Sequence, residues 1–173
     1  MGYNGLVSTQ ESLNKSWANV ENQYQRRADL IPNLVETVKG YAKHESSTFE
    51  AVVNARAKAT QMTIDPTNLT PEKLQEFQAA QGELSSALGR LLLLREAYPE
   101  LKANQNFIEL QAQLEGTENR ITVAREQFNQ EVQNYNTMVR KFPKNIIAGL
   151  FGFERKPTFE AEKGAEKAPE VKF

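Results

Sequence analysis

Cysteine is absent and histidine occurs once, which excludes disulfides, thiolate zinc sites, a cysteine nucleophile and any centre that needs two imidazoles. Long apolar runs are missing as well. No stretch of about 18 apolar residues is present to span a bilayer, and no charged-then-apolar leader opens the chain. Neither sign of charge is in excess, since 21 Lys and Arg meet 22 Asp and Glu for a net charge of −1. That balance lacks the basic footprint of a nucleic-acid binder, so no DNA or RNA partner is expected. Proline is scarce where helices require it to be: its seven copies, at 32, 66, 71, 99, 143, 157 and 169, leave 33–65, 72–98 and 100–142 uninterrupted. With 39% hydrophobic residues over 173 positions, the chain has enough for one domain only if the apolar side chains are gathered into narrow stripes.

Those stripes are visible. Phe107, Leu114, Ile121, Phe128, Tyr135 and Phe142 follow one another at intervals of seven, with Leu110, Thr117, Ala124 and Met138 between them. Leu74, Phe77, Leu84, Leu88 and Leu91 form a second stripe, Leu34, Val35, Val38, Ala42, Phe49 and Val52 a third, and Leu6, Leu13, Trp17, Val20 and Tyr24 a fourth. Thr70-Pro71-Glu72 supplies an N-cap, a proline at the first helical position and an acid in the first turn, while Asp65-Pro66-Thr67-Asn68 is turn chemistry.

Pro32 admits two readings. The residue before a proline avoids the helical region, which predicts a hairpin at Ile31; yet Trp17, Tyr24, Ile31 and Val38 stay seven apart across it, as a single kinked helix would require. The hairpin is preferred here because a helix from 4 to 60 would run about 85 Å and leave much of its stripe uncovered. The expected fold is all-α, an antiparallel up-and-down four-helix bundle over 1–153 with helices at about 4–28, 32–60, 71–98 and 100–142. An apolar segment, 144–153, is expected to cap it, and the charged tail 154–173 to be disordered.

Candidate sites are few. His44-Glu45 is half of a zinc-protease motif, but Thr48 stands where the second histidine belongs, so no metal, cofactor or catalytic residue is expected. Arg26, Arg27 and Asp29 form a charged cluster beside the predicted turn, suited to a carboxylate, phosphate or partner loop, although capping by Asp29 and pairing of the arginines with acids is the preferred reading. Arg56, Arg95 and Arg125, with Glu45, Glu96 and Glu126, lie at or beside stripe positions and suggest interhelical pairs that fix register, and the amide-rich last helix carries Asn106, Asn119, Asn129, Asn134 and Asn136, expected to be mostly solvated. Arg140, Lys141 and Lys144 precede Ile146, Ile147, Leu150, Phe151 and Phe153 with no acid among them. This combination suits an anionic membrane surface or a partner groove, against the alternative that it folds back over the core.

Several strings together, Tyr3-Asn4-Gly5-Leu6-Val7, Arg26-Arg27-Ala28-Asp29-Leu30-Ile31-Pro32-Asn33, Val38-Lys39-Gly40-Tyr41-Ala42-Lys43-His44-Glu45, Tyr135-Asn136 and Phe142-Pro143 with Leu150-Phe151-Gly152-Phe153, resemble the LemA family of bacterial proteins. The resemblance implies a helical bundle carried outside a membrane anchor, either a single transmembrane helix or a lipid-bearing cysteine ahead of the Tyr-Asn string. Here the anchor is expected to have been removed, or Met1 to stand where that cysteine would sit. The expectation is then a noncatalytic, tethered bundle acting in protein–protein interaction or scaffolding at the bacterial envelope. Its partner, oligomeric state and side of the membrane are left open; the alternatives are a surface binder acting through 140–153 and, less favoured, an enzyme of unknown reaction.

Overall fold

A computed structural model describes residues 2–141 and 144–160. Among the described residues the regular structure is all helical, its α-helices in the order α1 (Gly2–Lys39), α2 (Ser46–Gln61), α3 (Pro71–Leu93), α4 (Pro99–Lys102), α5 (Gln105–Arg140) and α6 (Lys144–Phe151). Four of the six are long. With 38 and 36 residues, α1 and α5 run about 57 and 54 Å, and they lie antiparallel along their length. Thr9 meets Met138, Arg27 meets Glu118, and Thr37 meets Asn106. Turning back after Gly40, α2 stacks Phe49 under Lys39 and links to α3 through Lys58 and Glu83 at 3.1 Å.

The hairpin predicted at Pro32 does not form, so the boundaries 4–28 and 32–60 are replaced by α1 and by α2, with the reversal at 40–45. Two physical facts decide this. Trp17, Tyr24, Ile31 and Val38 are all buried on one face, which rewards an unbroken helix. Proline's cost in a helix is the missing N–H, which orphans the carbonyl four residues back; that carbonyl, on Ala28, accepts a hydrogen bond from Arg56 Nε at 2.9 Å. Arg56 thus supplies from α2 the donor that Pro32 lacks. Arg56→Leu is expected to cost about 1–3 kcal/mol by leaving the Ala28 carbonyl unpaired, and Pro32→Ala in the same chain should recover most of it by restoring the backbone donor. Urea unfolding of the two single variants and the double variant measures this; equal losses from Arg56→Leu on both backgrounds would contradict it.

The predicted helix 100–142 is also divided. Asn104 accepts a hydrogen bond from Phe107 N at 2.9 Å and so caps a fresh helix start, leaving α4 as a single turn before it. Thr70 caps α3 as its sequence suggests, accepting from Lys73 N at 3.2 Å, and α3 gives way to a 3-10 turn after Leu93 instead of running to 98. Phe142 and Pro143 lie outside the described residues.

The tail is the largest correction. Residues 154–160 form an extended strap against α3 and α5, and Phe159 is only 5% exposed. Its ring lies 5.6 Å from Phe128 and 6.0 Å from Trp17, almost parallel to the indole. Burial of one large ring outweighs the polar composition that argued for disorder. The part of the predicted disordered tail from 161 to 173 lies outside the described residues.

The core is in two parts. One gathers Ile31, Leu34, Val38, Phe49, Val52, Leu84, Leu88, Leu91, Phe107 and Leu114; the other gathers Leu13, Trp17, Tyr24, Phe77, Ile121, Phe128, Tyr135 and Phe159. Between them, on α1, α3 and α5, lie the buried polar residues Arg27, Gln81 and Thr117.

Candidate functional site

Arg27 is the centre of the polar layer. At 1% exposure its guanidinium donates to Ser85 Oγ and Glu118 Oε1, each at 2.6 Å, to Gln81 Oε1 at 2.8 Å, and to the Gln81 carbonyl at 3.0 Å. The Tyr24 ring lies 5.2 Å beneath it. Helical spacing explains the convergence. Tyr24, Arg27 and Ile31 occupy one face of α1, Phe77, Gln81 and Leu84 one face of α3, and Leu114, Thr117 and Ile121 one face of α5, so one polar step in each helix falls at the same level. A cleft of about 410 Å³ opens beside it, lined by Arg27, Ser85, Glu118, Arg125, Asn129 and Phe159 among others. Chemically the layer is a charge clamp: the cation is met by one carboxylate and by neutral acceptors, and Ser85 accepts its hydrogen bond instead of facing a base.

Its two predicted neighbours do not join it. Arg26 is exposed and lines a shallow groove with Leu30 and Arg120, while Asp29 is exposed and accepts from Gln25 Nε2 at 2.8 Å. With no turn at Pro32, consecutive residues fan around the helix and only Arg27 points inward. His44 is exposed in the α1–α2 turn, where Glu45 accepts from the Tyr98 hydroxyl at 3.3 Å. Among the described residues no three His, Asp or Glu side chains group closely enough to share a metal ion.

A second small cavity, between α1, α2 and α3, is lined by Glu21, Tyr24, Ala59, Met62 and Phe77. Burial raises the Glu21 carboxyl above its usual value of 4.5, and the Trp17 indole pulls the other way. A raised folded value means that the protonated form is favoured. Stability from this group is therefore complete below 4.5 and is lost as pH rises through the folded value. Glu21→Gln should raise the melting temperature at neutral pH, with the gain shrinking on acidification; a pH series of thermal melts checks it.

The segment 140–153 packs only in part. α6 lies against the first turn of α1 and the end of α5, with Ala148 buried. A Cβ on Gly2 would come within 2.7 Å of Ile147 Cδ1, the movable tip of that side chain, so the start of α1 and α6 lie in close contact. Phe153 lies 6.5 Å from Tyr135 and 6.2 Å from Tyr3. The other side of α6 faces outward: Ile146 is 55% exposed, Leu150 77% and Phe151 60%, although Phe151 still touches Tyr3 at 4.6 Å. Arg140 and Lys141 are exposed nearby and Lys144 is half-buried. The expected cap and the expected contact face are thus two sides of one short helix.

The strap is held by amides that the sequence pattern marks only as solvated. Asn136 donates to the Lys156 carbonyl at 2.8 Å and accepts from Lys156 N at 2.6 Å; Asn129 does the same for Phe159 at 3.2 and 2.8 Å, and Gln78 for Glu160 at 2.8 and 3.4 Å. The available signal was spacing. Asn129 and Asn136 are one heptad apart, about 10.5 Å along a helix, and Lys156 and Phe159 are three residues apart, about 10 Å along an extended chain. Burial lowers the Lys156 ammonium from its usual value, while Glu154 and Asp65 act to raise it.

Fold and sites together define a class: an all-α protein of long paired helices, pinned by a buried polar layer, with an apolar and basic end. The sequence profile of the LemA family matches residues 16–173, and the chain belongs to that family. It is 28% identical over 186 aligned positions to magnetosome protein MamQ of Magnetospirillum gryphiswaldense, covering 98% of this chain and 68% of the relative. The same figures hold for MamQ 1 of Paramagnetospirillum magneticum. Protein LemA of Metamycoplasma hominis is 21% identical over 158 positions, covering 91% of this chain and 68% of its own length.

Proposed function

We infer that this chain is a noncatalytic, membrane-tethered helical protein that makes scaffolding contacts with other proteins at the bacterial envelope, its four long helices acting as one up-and-down bundle. The supporting observation is the coincidence of two features at one end. The first turn of α1, where a tether ahead of the chain would attach, packs against α6, whose outward face carries Ile146, Leu150 and Phe151 with basic residues beside it. A tether there brings apolar side chains and cations to the headgroups, the arrangement an anionic surface favours. Family membership and the likeness to magnetosome proteins support the membrane-associated part of this reading. The noncatalytic reading is favoured by the central charge layer, where Arg27 is already met by Glu118. No helix among the described residues is long and apolar enough to cross a membrane.

The test attaches the chain by its N-terminus to vesicles of mixed zwitterionic and anionic phospholipid, with a fluorescent label at Leu150→Cys or, at the far turn, His44→Cys. Brominated lipid should quench the label at 150 and leave the one at 44 bright. A bright label at 150 in the tethered state would overturn the membrane-facing end. Equal flotation of untethered chain would favour the second reading, in which 140–153 binds the surface unaided.

A further inference from the structure

The strap is held as a bound peptide is held. Three side-chain amides, from Gln78 on α3 and from Asn129 and Asn136 on α5, each donate to the carbonyl and accept from the N–H of one strap residue. Such contacts read main chain and ignore side-chain identity. Pro157, which has no N–H, falls between two clamps, where none is needed. The strap side chain that is buried is Phe159, seated among Trp17, Phe77 and Phe128, with the Arg125 guanidinium 4.6 Å over its ring and donating to the Glu160 carbonyl at 3.2 Å. Lys156 Nζ adds a contact to the Thr67 carbonyl at 2.9 Å.

What precedes the strap is lightly attached. Gly152, at φ +73, forms a joint that other residues adopt with strain, and α6 behind it buries Ala148 alone among its residues. The strap with its ring can therefore leave the groove without unwinding α1, α3 or α5. An emptied groove presents three paired amides and an aromatic pocket, and every other copy of the chain carries the strand that fits them.

We propose that the groove between α3 and α5 is a peptide-binding site whose ligand in trans is the 154–160 strand of a second copy, so that neighbouring chains are joined strap to groove. The resident strand competes from a short tether, equivalent to roughly millimolar concentration, so exchange is reserved for crowded copies. A membrane surface supplies such crowding. The inference rests on the scaffold reading for its setting and gives that reading its partner; its test is run in solution, where a failure of the tether has no influence.

The absence of cysteine makes the test clean. Gln75 and Thr158 line one small cavity where strap meets α3, and neither is a clamp. Chains bearing Gln75→Cys and chains of different mass bearing Thr158→Cys are unfolded together, refolded dilute and at about 1 mM, the range set by the tether, and treated with a short bis-maleimide. Crosslinked heterodimer should appear in the concentrated sample alone, and Phe159→Ala in the Thr158→Cys chain should remove it. Should Phe159→Ala fail to refold, Asn129→Ala with Asn136→Ala must lower the yield, since it deletes two clamps and keeps the pocket. The chain carrying both cysteines reports the strap in its own groove. No more heterodimer than a control pair with Ser86→Cys in place of Gln75→Cys overturns the proposal, as does a wild-type chain that sediments as a monomer at the same high concentration.

Discussion

Phe159→Ala is expected to lower the free energy of unfolding by about 3–5 kcal/mol, the range for emptying a buried aromatic site. The ring has no backbone element of regular structure behind it, so the whole loss falls on contacts with Trp17, Phe77, Phe128 and Arg125. The one tryptophan of the chain stacks on it, which makes fluorescence a local reporter as well as a global one. Urea unfolding followed at the indole should show a lower midpoint, and a chain ending after Phe153 should show a loss of similar size. A change under about 1 kcal/mol would mean that the strap rests on a core complete without it.

Arg27→Ala should be as damaging, at about 3–5 kcal/mol, because it removes a buried cation and leaves Glu118, Gln81 and Ser85 beside the cleft without their shared donor. The sign reverses when both charges go together. Arg27→Met with Glu118→Leu should be neutral or stabilising by up to about 4 kcal/mol, since desolvating a pair commonly costs more than the pair returns. A double-mutant cycle by urea unfolding gives the coupling. What the apolar version should lose is alignment: the layer separates two apolar clusters on three helices and penalises any slip of α5 along α1 that would draw Arg27 into either. Broader lines in the methyl NMR spectrum of the double variant, beside its undiminished midpoint, would be the sign of that loss.

Helix content was legible because periodicity is a property of the stripe itself. The heptad from Phe107 to Tyr135 reappears as the buried face of α5, and Thr70-Pro71 starts α3 where it was read. Pro32 misled because its local rule is real but weaker than four in-phase apolar residues, and because its remedy, Arg56, lies in another helix, at a distance no local rule spans. Arg27 stands out in the sequence as part of a charged triplet, but such a triplet is a cluster only if a turn brings its members together, and within a helix one of the three goes inward. The strap was the least visible feature. Composition averages over a segment and so marks 154–160 as polar, whereas its placement depends on one ring and on amides set seven residues apart in a distant helix. Exposed Leu150 and Phe151 could be placed on an apolar stretch, but which side of α6 faces outward is set by tertiary packing, with Ala148 buried and Ile147 against Gly2.

The amide clamps also carry a chemical clock. Each works because a carboxamide has both a donor and an acceptor. Hydrolysis of Asn129 or Asn136 to aspartate, as happens to side-chain amides during long incubation, keeps the acceptor, deletes the donor and sets a negative charge beside the carbonyl of Phe159 or Lys156. Aged protein should therefore come loose at its strap before its helices weaken, and protease sensitivity near residue 155 should track the mass gained by deamidation.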